Sequence, residues 1–365
     1  MRVRLRRSER GFSLMELIVS LGLGTLIVAG AVRLFSQGLR ATSMVSERAE
    51  MQQDVRAASN ILIKDISLAG TGLPPGGIAL ATGGAELPLY GCDPTKCYVG
   101  GTPPVGIVFP GGTSPYMYWI IPGDGLGPVV TSGQPATDAI SVVQADTAFP
   151  WSDYRIALNS TSTTGTISLV SKPMVVASPP SPEQKVSHEA YGLKTGDLIL
   201  LTGTAGGNAI SAIGEVTANV TGTDSPYTVH LSSTDALRFN QSGATSNGLV
   251  QMKNLTGMSI TRIWLISYYI STDSGAPTLM RKVNGQAPAP VAENIVDLQF
   301  NYDTYDDNGN PINSDAPTSP NMIRKVNLRH MTAHSAVGAV PDGFQSLDIQ
   351  TSVSARNMSF KNSYQ

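Results

Sequence analysis

The feature that most constrains this chain is an apolar run near its start. Residues Phe12–Val32 read FSLMELIVSLGLGTLIVAGAV and contain one charged residue, Glu16. As an α-helix this run would be about 30 Å long, which matches the hydrocarbon thickness of a bilayer. Residues 1–11 carry five arginines and one glutamate. Because positively charged flanks stay in the cytoplasm, we expect the rest of the chain to lie on the outer side of the membrane.

The helical pattern continues beyond the apolar run. No proline occurs from Arg33 to Ala69, and charged residues return there. One apolar stripe keeps helical spacing through Met44, Met51, Val55, Ala58, Leu62, Ile66 and Ala69. It predicts an amphipathic helix that packs against a sheet and ends at Gly70-Thr71-Gly72. A helix over residues 12–69 would be about 87 Å long, and its glycines at 22, 24, 30 and 38 are places where it could bend.

The remainder of the chain has the pattern of a β protein. Residues 70–135 contain 16 glycines and 11 prolines, which favours long loops with short strands at Val105–Phe109 and Met117–Ile121. Later strands are predicted at Ala139–Ala145, Asp197–Thr202, Ala212–Thr217, Tyr227–Leu231, Ile263–Ile270, Val296–Tyr302, Val326–Leu328 and Leu347–Val353. Since no helices separate them, we expect antiparallel sheet. Gly203–Asn208 reads as a hairpin loop, because a phosphate-binding loop would be followed by a lysine and a helix.

The predicted fold class is α+β, with a long N-terminal α-helix packed on an antiparallel β-sheet domain that has long Gly/Pro-rich loops. With 365 residues, 41% of them hydrophobic, the chain can bury a sizeable core. The predicted divisions are a basic leader (1–11), a membrane half of the helix (12–35), an amphipathic half (36–69), a loop region (70–135) and a β-rich region (136–365). The last has room for an inserted subdomain at about 138–254.

The two cysteines lie close together in the sequence. Cys92 and Cys97 are separated by Asp-Pro-Thr-Lys, and Asp-Pro favours a turn. In an oxidising compartment the pair predicts a small disulfide loop that stabilises the fold by roughly 2 kcal/mol. Two unpaired thiols are the alternative. A zinc site is less favoured, since no second pair of ligands follows nearby.

Composition and motifs argue against catalysis. The charged fraction is 14% and the net charge is -2, so no strongly basic surface indicates a nucleic-acid partner. The sequence has no nucleophile elbow, zinc-protease motif or Walker loop, and we expect no enzyme activity, cofactor or metal. His330 and His334 are four residues apart, but ordinary strand residues are the simpler interpretation. Asp303–Gly309 could cradle Ca²⁺, although a turn between strands at Asn308-Gly309 is favoured.

Residues 10–17, RGFSLMEL, resemble the processing site of type IV prepilins and type II secretion pseudopilins. The resemblance implies cleavage after Gly11 by a prepilin peptidase and N-methylation of Phe12. It also implies that Glu16 pairs with the N-terminal amine of a neighbouring subunit and sets the axial register. The alternatives are a plain membrane anchor and a secretory signal peptide cut near Ala29-Gly30-Ala31, but a signal peptide would leave Glu16 unexplained.

Weaker matches along the chain resemble PilW-type minor pilins, among them Thr137–Ile140, Thr195–Leu201, Arg281–Gly285 and Val291–Phe300. They imply an inner-membrane subunit that moves into an extracellular pilus, at its tip, and primes assembly. The implied partners are the prepilin peptidase, the major pilin, other minor pilins, the assembly platform and membrane lipid. A J-type minor pseudopilin of type II secretion is the alternative in the same class. An adhesive tip module that binds through residues 70–135 is the alternative from another class.

Overall fold

The computed structural model describes residues 11–74, 76–84, 88, 90–92, 97–99, 116–158, 166–171, 185–222, 226–241, 243–253, 255–305, 308–317, 320–335 and 345–355. Two units are distinguished, one formed by Met1–Gln52 with Ser335–Gln345 and the other by the remaining residues. The first consists, in its described part, almost entirely of helix. The second contains the sheets.

The single long helix, α1, runs from Leu14 to Ser67. Its glycines do not interrupt it, so the predicted helix is confirmed with ends that lie two residues inside the expected ones. It stops where Gly70 and Gly72 adopt φ values of 76° and 71°, in the left-handed region that favours glycine. A Cβ at Gly72 would also lie 2.9 Å from the Cβ of Ala145, so this close approach requires glycine.

Nineteen strands are present in the described residues. They are β1 Ile78–Ala79, β2 Tyr90–Cys92, β3 Cys97–Val99, β4 Tyr116–Met117, β5 Ile120–Gly123, β6 Ala139–Ala145, β7 Tyr154–Leu158, β8 Thr166–Ser171, β9 Leu198–Ala205, β10 Asn208–Glu215, β11 Ala218–Thr221, β12 Tyr227–His230, β13 Thr256–Ser271, β14 Thr278–Val283, β15 Ala289–Glu293, β16 Ile295–Tyr305, β17 Pro311–Ser314, β18 Ile323–His334 and β19 Ser346–Ser354. Short 3₁₀ turns occupy Trp151–Asp153, Leu249–Met252 and Pro320–Met322.

The strands form an antiparallel architecture. The largest sheet has the order β10-β9-β13-β14-β15, with β6 also paired to β13 and β5 to β6. Two four-stranded sheets have the orders β11-β12-β8-β7 and β17-β16-β18-β19. Since all described pairings are antiparallel, the predicted α+β class is confirmed.

The predicted strands differ from the observed ones mainly at their ends. Met117–Ile121 is divided into β4 and β5, with Tyr118 and Trp119 between them. The hairpin at Gly203–Asn208 is confirmed, but its turn is only Gly206-Gly207, because β9 and β10 pair up to Ala205 and Asn208. The Val105–Phe109 prediction lies outside the described residues.

The C-terminal part of α1 supplies one side of a hydrophobic core. Val55, Ala58, Leu62, Ile66 and Ala69 are each at most 1% exposed, which confirms this part of the predicted stripe. The helix end is hydrogen-bonded to β6 through Gly70 N to Val143 O (2.8 Å) and Ala145 N to Thr71 O (2.9 Å). These contacts confirm that this segment packs on a sheet.

A polar cluster fixes the same helix to the sheet. Asp65 Oδ2 accepts hydrogen bonds from the Tyr268 hydroxyl (2.6 Å) and from Arg281 Nε (2.9 Å). Asp65 is only 6% exposed, so a buried carboxylate here needs both partners. Burial, together with the Asp65 carboxylate, raises the pKa of the Tyr268 hydroxyl, which therefore remains a donor.

A second core lies around the sheet β11-β12-β8-β7 and its neighbours. It gathers Phe149, Trp151, Tyr154, Val186, Leu193, Ile199, Leu201, Tyr227, Val229, Leu231, Leu249 and Met252. At its margin Arg262 bonds Asp146 Oδ2 through Nε and Nη2 (3.0 and 2.7 Å) and Asp197 Oδ2 through Nη1 (3.3 Å). Its guanidinium carbon lies 4.4 Å from the ring centre of Trp264. One buried arginine thus joins Asp146 and Asp197, which are distant in sequence, to β13.

Candidate functional site

The residues of the predicted cleavage site lie at the very start of the described chain. Gly11–Ser13 precede the helix, and no atom outside its immediate neighbours lies within 4 Å of a Cβ built at Gly11. Phe12 is 75% exposed. A protease needs an accessible backbone that can adopt an extended form, and a glycine before the cut provides it. The geometry therefore suits a peptidase that cuts between Gly11 and Phe12.

The acid of the motif lies in the first turn of α1. The Ser13 carbonyl accepts the first helical hydrogen bond, from Leu17 N at 3.1 Å, so Ser13 is the N-cap residue. Glu16 is the third residue after it and is exposed. A carboxylate at this position is favoured by the helix dipole. Within the described chain the Glu16 carboxylate makes no hydrogen bond or ion pair, so it is available to a group outside this chain.

The helix around this acid presents an apolar surface on all sides. It is long and apolar enough to cross a membrane, and none of its most apolar window is buried within the chain. Leu14, Leu26 and Ile27 are each more than 70% exposed. The hydroxyls of Ser20 and Thr25 donate to the carbonyls of Leu17 (2.9 Å) and Gly22 (2.8 Å). These polar groups are thereby satisfied within the helix, as an apolar environment requires.

The cysteine loop has a backbone arrangement that favours a disulfide. Strands β2 and β3 pair with Cys92 directly opposite Cys97. Residues directly opposite each other on antiparallel strands have Cα atoms about 4.5–5.5 Å apart, within the usual range for a disulfide. The side chains lie outside the described part, and the disulfide stays a prediction.

The other candidate ligands that the structure describes have partners within the protein. Asp303 Oδ1 accepts a hydrogen bond from Asn313 Nδ2 (2.6 Å). β16 and β17 pair as a hairpin, which agrees with the predicted turn between strands. Residues 306 and 307 are outside the described chain. His330 Nδ1 lies 2.9 Å from Asp348 Oδ2, whereas His334 is paired in register with Ser346. In the described residues no three His, Cys, Asp or Glu side chains are arranged to hold a metal.

Two buried acids were not predicted from the sequence. Asp138 is 2% exposed and accepts from Gly125 N (2.8 Å) and Phe300 N (2.7 Å). Burial raises the pKa of the Asp138 carboxyl to about 7. Burial likewise raises the pKa of Glu215 to about 7, and the neighbouring Asp235 carboxyl adds to the effect. Asp138 links a loop to β16, and its position directly before a buried strand was the available signal.

The comparisons with known proteins address the N-terminus alone. Residues 6–32 match the family described as the prokaryotic N-terminal methylation motif. No curated protein and no solved structure matches the chain. The matched segment contains Gly11, Phe12 and Glu16, together with the whole apolar run up to Val32. The chain thus carries a prepilin-like N-terminus, the kind of motif that a prepilin peptidase cleaves and methylates.

Proposed function

We propose that this protein is a minor type IV pilin with a structural role, not an enzyme. The observation that carries the proposal is the methylation motif at residues 6–32, continuous with an apolar helix that is exposed on all sides. An isolated subunit cannot leave that surface in water. It needs lipid before assembly and other subunits after it.

In the proposed sequence of events the chain is anchored in the inner membrane, with its N-terminus in the cytoplasm and its C-terminal region outside. The arginine-rich leader sets this orientation. A prepilin peptidase cuts after Gly11 and methylates Phe12. The subunit then enters an extracellular pilus through the inner-membrane assembly platform, beside the major pilin and other minor pilins, and primes assembly at the tip.

Glu16 has a specific part in this proposal. An unpaired carboxylate in an apolar filament core is costly, and the new amine at Phe12 carries the opposite charge. Glu16 lies one helical turn from Phe12, about 6 Å along the axis. We propose that the Glu16 carboxylate of one subunit pairs with the amine of the next, which neutralises both charges and sets the axial register.

Two sequence features favour a minor subunit over the main shaft subunit. The segment Phe12–Val32 lacks the helix-breaking proline that many major pilins carry, and Arg33 follows it directly. The chain of 365 residues is also long for a shaft subunit. A J-type minor pseudopilin would share the helix and the sheet but is usually shorter. Genes for a pilus or for a secretion channel beside the coding sequence would separate the two.

The decisive experiment is intact-mass and N-terminal analysis of the chain co-expressed with a prepilin peptidase. A mature chain that begins with methylated Phe12 supports the proposal, and an inactive peptidase should leave the leader in place. A mature chain beginning near Val32 would identify a secretory signal peptide. An uncut chain in the presence of active peptidase would identify a plain anchor, and either result would overturn the proposal.

The role of Glu16 has its own test. Glu16→Ala and Glu16→Gln should still be cut and methylated but should enter filaments far less than wild type. Glu50→Gln, which changes an exposed acid on the same helix, serves as the matched control and should assemble normally. Normal incorporation of Glu16→Ala would contradict the pairing.

A further inference from the structure

The sheet β17-β16-β18-β19 presents one face made of polar side chains. Along β16 the residues Leu298, Phe300 and Tyr302 are at most 1% exposed, so the alternate residues point to the opposite face. On that face Asn301 lies opposite Asn327 of β18, and Asp303 lies opposite Asn313 of β17. Four side chains from three strands are therefore brought together at the surface.

These four side chains form a closed ring of hydrogen bonds. Asn313 Nδ2 donates to Asp303 Oδ1 (2.6 Å) and Asn301 Oδ1 (3.3 Å). Asn327 Nδ2 donates to the same two oxygens, at 3.0 and 2.8 Å. The ring fixes the rotamers of three carboxamides before any ligand arrives. In the described chain no partner is found for Asn301 Nδ2 or for the Oδ1 atoms of Asn313 and Asn327. One donor and two acceptors are thus held in place at the surface.

Two ion pairs lie on this face, and a further cation, Arg324, lies near Tyr305 and donates Nη1 to the carbonyls of Asn321 and Ile323. Lys325 Nζ lies 3.4 Å from Asp303 Oδ2, and His330 Nδ1 lies 2.9 Å from Asp348 Oδ2. The strands contribute further neutral groups, since Ser352 and Ser354 lie in register with Asn327 and Lys325. Because cations and anions are interspersed among neutral hydrogen-bonding groups, the face has no strong field of one sign to attract a highly charged ligand. It suits a ligand that carries many uncharged hydroxyl groups.

An exposed aromatic ring extends the same face. Tyr305 is 43% exposed and lies opposite Pro311 on β17. It follows Asp303 by two residues, so both point to the same side, about 7 Å apart along the strand. Tyr305 and Asn301 are four residues apart on β16, which corresponds to about 13 Å along the strand, roughly the length of two sugar rings. An aromatic platform beside fixed amides offers the apolar face of a sugar a stacking surface and its hydroxyls hydrogen-bond partners.

We propose that this face, defined by Tyr305, Asn301, Asp303, Asn313 and Asn327, is a binding site for a neutral oligosaccharide. One sugar unit stacks on Tyr305. Hydroxyl groups of the next sugar unit form hydrogen bonds with the unpaired amide atoms of Asn301, Asn313 and Asn327. Pre-organisation of the amides lowers the entropy lost on binding. The inference does not depend on incorporation into a filament.

The test uses the full chain in micelles of an amine-oxide detergent, because sugar-headed detergents would compete for the site. The probes are maltotriose, cellotriose, mannotriose and chitotriose, with sialyllactose as the anionic comparison, titrated by calorimetry and by saturation-transfer NMR. We expect at least one neutral probe to bind saturably with a Kd below about 10 mM. Tyr305→Ala and Asn327→Ala should each weaken it by about tenfold or more.

Matched variants keep the outcome interpretable. Tyr305→Phe should retain binding, since it preserves the stacking surface. Tyr191→Ala removes another exposed tyrosine, 56% accessible and distant in sequence, and should bind as wild type. All variants should have unchanged circular dichroism spectra. The proposal would be overturned if no neutral probe saturates, or if Tyr305→Ala and Asn327→Ala bind as tightly as wild type. It would also be overturned if binding strictly needs a divalent cation or if sialyllactose binds more tightly than the neutral probes.

Discussion

Neutralising Asp138 should remove its own share of the pH dependence of folding and leave the share of Glu215, whose pKa is also raised to about 7. The Asp138 carboxylate accepts two backbone hydrogen bonds, from Gly125 N and Phe300 N, and it is 2% exposed. Asp124 and Asp315 lie near enough to disfavour its charge further. Asp138→Asn keeps the shape of the side chain and one acceptor oxygen, but it cannot ionise. Because Asn also loses one of the two accepted hydrogen bonds, the test compares the pH dependence of stability and not the stability at a single pH.

The magnitude follows from the difference between the folded and unfolded pKa. The folded pKa of Asp138 is about 7 and its ordinary value is 3.8. Because the folded pKa is the higher one, the fold favours the protonated acid, and the stabilisation is complete below the unfolded pKa and lost as the pH rises through the folded pKa. For this one group the free energy of unfolding should fall by about 3 kcal/mol between pH 5 and pH 8.

The assay is urea unfolding of the full chain in detergent micelles, followed by tryptophan fluorescence at pH 5 and pH 8. Wild type should be less stable at pH 8, and Asp138→Asn should lose less stability over the same interval. Asp153→Asn, at an exposed position, is the matched control and should behave as wild type. Equal pH dependence of wild type and Asp138→Asn would refute the reasoning, because the buried carboxyl would then have no raised pKa.

Three further predictions concern stability and covalent structure. Asp65→Ala should lower the free energy of unfolding by about 3 kcal/mol in urea titrations, because Arg281 loses its buried partner; a change below about 0.5 kcal/mol would contradict this. Leu62→Ala should cost about 2–5 kcal/mol, whereas Ile61→Ala, 43% exposed, should cost far less, and equal losses would argue against the core assignment. Without reductant, thiol alkylation should leave Cys92 unmodified if the predicted disulfide is correct, and modification would exclude it.

Periodicity predicted the helix and the strands β6, β9, β10, β12, β13, β16, β18 and β19, because their apolar residues recur at regular spacing. It did not predict β7, β8, β14 or β15. On β16 the alternation of Leu298, Phe300 and Tyr302 was interpreted correctly. At its start, however, Ile295 is fully buried and Val296 only half-buried, because the register with β18 shifts between Ile295 and Asp297. A bulge changes which face a residue occupies, and a regular pattern cannot anticipate it.

Contacts between distant segments were beyond prediction from local patterns. Asp65 and Tyr268 are separated by 203 positions, and nothing in either segment specifies the other. A signal did exist, since Asp65 lies three residues after Leu62 and therefore on the buried face of α1. A charged residue within an apolar stripe requires a partner. The N-terminal site, in contrast, was predictable from the sequence because all its residues lie within one short segment.

The junction between α1 and the largest sheet also has a mechanical consequence. A pull on the C-terminal part of the helix is delivered at two places, through Asp65 to β13 and β14 and through Gly70-Thr71 to β6. β6 is itself paired with β13 over six consecutive residue pairs. Tension is therefore shared among three strands, and no single strand edge has to be peeled away first. To separate this part of the helix from the sheet, a force along the helix must therefore break contacts to several strands.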